Sequence, residues 1–306
     1  MRARFPTLLI VTTAVLTLLV AGGVAKVYGA PSTRSPVGRT SRVAPLVQAI
    51  MAPESSRGQP SAAFAGLPAR IRQATDEAAA VGATLSVAIL DRATGQMVSS
   101  GDGQLVGIAS VAKLFIADDL LLAEAQGKTP LSAEDRPALD LMLRASDDSV
   151  AENFWSQRGG EAIITDVARR YGLTSTTPPS DGRWWNTMSS VSDLIRYYDM
   201  LLSGSGGLPA RQADIIVGDL AASTAIGVDG YPQRFGIPDG LPAEPVAVKQ
   251  GWMCCIGTDW MHLSTGVIGH DRRYIMVVES LQPSDDATAR ATITQAVKTM
   301  FPQGRI

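Results

Sequence analysis

Runs of alternating β-branched residues fall in two groups, at 85–100 and at 246–280, and the chain between them carries segments of helical period. One sheet that uses both groups must close across the chain, leaving the helices between as a lobe of their own. In order, the pattern predicts a helix at 67–81, strands at 85–90 and 96–100 joined by a turn, and helices at 111–126, 149–157, 161–171, 192–202 and 211–222. Strands follow at 246–250, 260–268 and 274–280, then a closing helix at 286–300. The expected fold class is α+β: a mainly antiparallel five-stranded sheet flanked by terminal helices, with an inserted all-helical lobe at about 109–222. Sites in such designs are built in the cleft between lobes.

Ahead of that domain the composition changes. Leu8 to Ala25 is uncharged and mostly apolar and follows Arg2 and Arg4, the layout of an export signal that is also long enough to span a membrane. Residues 1–30 read as a signal or membrane anchor, 31–66 as a linker rich in Pro, Ser, Arg and Gly, and 67–306 as the folded domain. Cleavage after Ala25 or Gly29 and retention as an anchor fit equally. Either way the bulk of the chain is expected outside the cytoplasm: at the outer face of the cytoplasmic membrane, in the cell envelope, or secreted. Leu19-Val20-Ala21-Gly22 has the look of a bacterial lipidation box, but Gly23 stands where the modified cysteine belongs, which excludes lipid attachment by that route.

A net charge of −2 without any basic run excludes a nucleic-acid footprint. Two adjacent cysteines, Cys254 and Cys255, with His262 and His270 do not make a zinc ligand set, so neither metal nor cofactor is expected. The basic side chains comprise 22 Arg and five Lys. Arg cannot give up its proton in a protein whereas a buried Lys can, so a lysine kept in an arginine-rich chain marks a place where a neutral amine has a use.

Two of those lysines lie in short motifs. Ser110-Val111-Ala112-Lys113 opens an apolar helix, and its spacing puts hydroxyl and amine on one face. By itself it is no more than a helix start. Ser146-Asp147-Asp148 precedes Ser149-Val150-Ala151-Glu152, which reads as a capping box. Lys249-Gln250-Gly251 ends a β-branched strand, where a lone lysine is commonly just exposed. Taken in order and on these elements, the three motifs resemble the SxxK, SDN and KTG marks of class A serine β-lactamases and related penicillin-binding proteins. The resemblance covers about 67–306, and stretches such as 180–200 and 249–260 look especially like the actinobacterial lipoprotein group named LppW.

That resemblance implies an exported serine acyl-transferase or hydrolase acting on peptidoglycan-type D-alanyl peptides or β-lactams. Ser110 is then the acylated nucleophile, Lys113 its base, Ser146 the relay to the leaving nitrogen and Lys249 the holder of the substrate carboxylate. The backbone N–H groups of Ser110 and Trp252 form the oxyanion hole, and Asp148, Gln250 and Gly251 join the substrate-binding set. Several positions depart from the family. Asp148 replaces Asn, and a carboxylate beside Lys113 is expected to raise its pKa and weaken the base. Gln250 replaces Thr, and the ring of Trp252 is expected to narrow the groove. No Glu lies between Glu161 and Glu244, so the family's deacylating base is missing, and Asp181 reads as a turn former. These departures also fit the alternative of a catalytically inactive binding or scaffold protein on the same fold. Adjacent Cα atoms across a trans peptide, about 3.8 Å apart, are too close for an ordinary disulfide, so Cys254 and Cys255 are expected to be small buried hydrophobes.

Overall fold

The computed structural model of the chain describes residues 62–101 and 104–306. The apolar N-terminal segment and the linker up to residue 61 lie outside the described residues. Helix α1 (Leu67–Ala80) buries the stripe Leu67, Ile71, Ala74 and Ala78 and leads into the hairpin β1 (Thr84–Asp91) and β2 (Gln96–Ser99). After β3 (Val106–Gly107), a short 3₁₀ turn (Ala109–Ala112) runs into α2 (Lys113–Ala125). The helical lobe continues with α3 (Asp135–Arg144), α4 (Asp148–Gln157) and α5 (Glu161–Tyr171). A two-residue strand β4 (Met188–Ser189) then pairs with β3, followed by α6 (Val191–Ser203) and α7 (Ala210–Ala221). A single turn α8 (Ile237–Gly240), strands β5 (Val246–Ile256), β6 (Asp259–Ile268) and β7 (Tyr274–Gln282), and helix α9 (Asp286–Met300) complete the chain.

The sheet runs β2-β1-β7-β6-β5, all antiparallel, and Thr84 stands opposite Leu281, so the first and last strands of the two groups are neighbours. Strand alternation divides the core. Ile275 and Val277 of β7 face the lobe, while Met276 and Val278 face α1 and α9. Helix α2 is the lobe's axis: the consecutive residues Leu114, Phe115, Ile116 and Ala117 are all fully buried. Of its three acids, Asp118, Asp119 and Glu124, one is fully buried. Asp118 is buried and satisfied by Arg170 and the Tyr171 hydroxyl, tying α2 to α5.

The fold is the α+β design read from the sequence, with local differences. Helix α3 is absent from the expected elements, because Pro137 interrupts its helical pattern; in the structure Pro137 falls in the first turn, where its missing N–H costs nothing. The cap of α4 is Asp147, which accepts from Val150 N at 2.9 Å, instead of Ser149. Helix α4 therefore begins at Asp148, whose carboxylate is free to reach elsewhere. Strand β5 runs six residues beyond its expected end at 250, to Ile256, and closes onto β6 through Gly257 and Thr258 with an irregularity after Met253.

Candidate active site

Three distant segments converge between the sheet and the lobe. Ser110 sits on the 3₁₀ turn with Lys113 at the start of α2, and their Oγ and Nζ atoms are 2.9 Å apart. Ser146, in the connection from α3 to α4, holds its Oγ 3.1 Å from Lys113 Nζ and its carbonyl oxygen 2.7 Å from the same nitrogen. Lys249 arrives on β5 and donates to Ser146 Oγ at 2.8 Å. The result is a continuous chain of contacts, Ser110–Lys113–Ser146–Lys249. Ala109 and Ser146 adopt positive φ, 46° and 58°, a costly backbone state for side-chain-bearing residues. Both lie in the segments that present the two serines, and strain of this kind gathers at functional sites. Gly251 permits the approach of β5: a Cβ there would stand 2.7 Å from the carbonyl oxygen of Ile108.

Burial sets the electrostatics. Lys113 is 0% exposed and Lys249 1%. Desolvation pushes the Lys113 amine below the usual lysine range, although the Asp148 carboxylate, 2.5 Å from Nζ, pulls the other way. Asp148 thus acts in the expected direction, opposing deprotonation of Lys113, and burial outweighs it. Lys249 is pushed still further down by burial, and the neighbouring Lys113 charge adds to that. Two buried ammonium groups around one hydroxyl are mutually unfavourable, and burial pushes both Lys113 and Lys249 toward the neutral amine.

The other expected residues are placed unevenly. Asp148 meets Lys113 while its side chain stays 69% exposed at the mouth of a cleft of about 220 Å³ over Ser110. Gln250 is not brought to that cleft. The strand parity that aims Lys249 and Gly251 at the lobe turns Gln250 away, where its amide donates to the carbonyls of Gln233 and Phe235 at 3.0 and 2.6 Å. The Trp252 ring likewise lies flat on Tyr231, 4.3 Å between centroids and 6° between planes, while still lining the cleft. Asp181 is the turn former expected: it accepts from Arg183 N and Asn186, and those bonds hold its carboxyl below the usual range. The cysteines correct their expectation outright. Cys254 and Cys255 are exposed and disulfide-bonded to each other across a cis peptide, with Cα atoms 2.9 Å apart, so the trans geometry that argued against a bridge does not apply.

Three contributors have little or no sequence signal. Trp184, 2% exposed, lines the cleft and carries Lys113 Nζ 4.7 Å above its ring; in sequence the Trp184-Trp185 pair reads either as a cleft lining or, more usually, as loop packing. Asp229 also lines the cleft, and Tyr231 supports Trp252, yet Val228-Asp229-Gly230-Tyr231 reads in sequence only as a turn.

No family model matches the chain. LppW of Mycobacterium tuberculosis strain H37Rv, whose name classes it with lipoproteins, is 67% identical over 314 aligned positions covering 100% of both chains, and LppW of Mycobacterium bovis matches to the same extent. Among solved structures, an acyl-enzyme complex of a PBP-A point mutant with penicillin G superposes with a TM-score of 0.64 at 17% identity, covering 78% of this chain and 96% of that one. A β-lactamase from Chitinophaga pinensis gives 0.62 at 14% identity, covering 77% and 99%. An ancestral class A β-lactamase gives 0.60 at 21% identity, covering 78% and 99%. These likenesses show the fold.

Proposed function

The chain belongs to the LppW family, and from that membership and the Ser110 cluster we propose an exported serine acyl-transferase or hydrolase-like protein of the cell envelope. It uses Ser110 and Lys113 on D-alanyl-peptide or β-lactam-type amides and deacylates poorly. The observation that carries this reading is the unbroken chain from Ser110 Oγ through Lys113 Nζ and Ser146 Oγ to Lys249 Nζ. In it, neutral Lys113 takes the Ser110 proton as Oγ attacks the amide carbonyl, and the backbone N–H groups of Ser110 and Trp252 receive the oxyanion. Ser146 protonates the departing nitrogen and recovers its proton from Lys113, leaving an ester on Ser110. Hydrolysis of that ester needs a second base. The loop before β4 offers Trp184 and Trp185 to the cleft, and its one acid, Asp181, is spent on its own turn. The acyl-enzyme is therefore expected to persist. The lipoprotein name of the relatives supports attachment to a membrane, which in this chain falls to the apolar segment at 8–25.

A second reading, a fold that binds without turnover, is favoured by the Lys113–Asp148 contact of 2.5 Å. Intact-mass measurement after exposure to several β-lactams and acyl peptides separates the two. A lasting adduct that disappears in Ser110→Ala supports the enzyme. No adduct, or one that Ser110→Ala retains, sinks it.

A further inference from the structure

Resting on the assignment of Ser110 as the reacting group, we infer that the cleft selects amides whose leaving side is uncharged or cationic, such as a carboxamide or amine-ended peptide, and disfavours a free carboxylate. The first support is the lining. Asp148 and Asp229, both exposed, flank the opening over Ser110, and among the described residues that line it none is cationic. An anionic leaving group must approach two carboxylates, of which Asp148 is paired from beneath by buried Lys113 and Asp229 has no cationic side chain beside it in the lining.

The second support is the fate of the groups that could have supplied a counter-charge. Lys249 is 1% exposed and turns its amine to Ser146 Oγ at 2.8 Å and the carbonyl of Gln250 at 3.3 Å, and it is not among the residues that line the cleft. The Gln250 amide is spent on two backbone carbonyls on the opposite face of β5. Lys113 is fully buried beneath Asp148 and Ser146. Arg183, outside the lining, has its guanidinium over the Trp185 ring and faces Asp181 at 3.9 Å. The third support is the wall itself: half-buried Trp185 and Trp252 border the same cleft, and indole faces attract cations and tolerate neutral amides. The neighbouring Trp184 already carries the Lys113 amine.

Asp229 is the specificity-determining residue whose hydrogen bond lies outside the Ser110 chain; its charge also raises the pKa of the Lys113 and Lys249 amines, so its effect is read on binding to Ser110→Ala. Its Oδ1 accepts from Tyr231 N at 2.9 Å, and Asp229→Asn keeps that oxygen, so the turn is retained while the charge is lost. The test uses three matched ligands: an N-acyl-D-alanyl-D-alanine, its C-terminal carboxamide, and an N-acyl-D-alanyl diamine. Their binding to Ser110→Ala is read by calorimetry and indole fluorescence, and their acylation of the parent by intact mass. The carboxamide and the amine are expected to bind about tenfold more tightly than the carboxylate, and adding Asp229→Asn is expected to shrink that ratio to about threefold. Equal or tighter binding of the carboxylate, a ratio unmoved by Asp229→Asn, or no binding of any ligand at millimolar concentration overturns the inference. A preserved ranking with no Ser110 adduct instead leaves the recognition rule standing and removes the acyl-transfer reading.

Discussion

At Asp148 one carboxylate decides how readily Lys113 serves as a base. Its attraction raises the amine's pKa against a larger lowering by burial, so replacing it with the neutral Asn lowers that pKa further. A neutral amine then exists at lower pH, and Asp148→Asn is expected to be acylated faster by penicillin, with the rate reaching its plateau at lower pH. Rates measured from pH 6 to 10 on protein with unchanged circular dichroism check this, and an unaltered profile removes Asp148 as the restraint. The residue types of this site are legible as SxxK, SDD and KQG, because hydroxyl and amine spacing is written into the chain. The balance at Lys113 is not, since depth of burial is set by residues from the whole lobe. Gln250 is legible in principle: it stands between Lys249 and Gly251, and a strand cannot aim three consecutive side chains at one place.

At the scale of elements, the site depends on how closely edge strand β5 approaches the 3₁₀ turn that bears Ser110. Gly251→Ala sets a methyl group against the Ile108 carbonyl, a backbone atom that cannot swing aside. The expected outcome is a folded protein whose penicillin labelling slows at least about tenfold, with a lower Tm. Labelling at the parent rate would show that the approach can relax. Elements with strong periodicity, such as α1, β7 and α9, are legible in the sequence nearly to the residue. Helix α3 is hidden by a proline that the first turn absorbs, and the β3–β4 pair is two residues per strand, too short to show a period.

Over the whole molecule, two buried groups make stability depend on pH in opposite senses. Burial raises Glu279 from 4.5 to about 8, so the folded protein keeps a proton that the unfolded chain releases, and this contribution is lost as pH rises from 4.5 through 8. Burial lowers His262 from 6.5 to about 4, so the unfolded chain takes up a proton first, and stability is lost as pH falls through that window. Glu279→Gln is expected to raise Tm by about 4 °C or more at pH 8 and to change it little at pH 4.5. An equal shift at both values would contradict the assignment. Attachment is also a property of the whole chain: its two cysteines are Cys254 and Cys255, joined to each other, so radiolabelled palmitate is expected to be absent from the protein in cell fractions. Its incorporation would show lipidation by another route.

The pairing of Thr84 with Leu281 has a kinetic side. A chain that emerges N-terminus first holds β1 paired only with β2 until β7 has been released, so the central pairing forms last and contact order is high. Lys249 reaches Ser146 only through β5, which is joined to β7 by β6. An incompletely delivered chain thus exposes an unpaired sheet edge to any holding factor and carries no assembled nucleophile, and truncation before β7 leaves it inert.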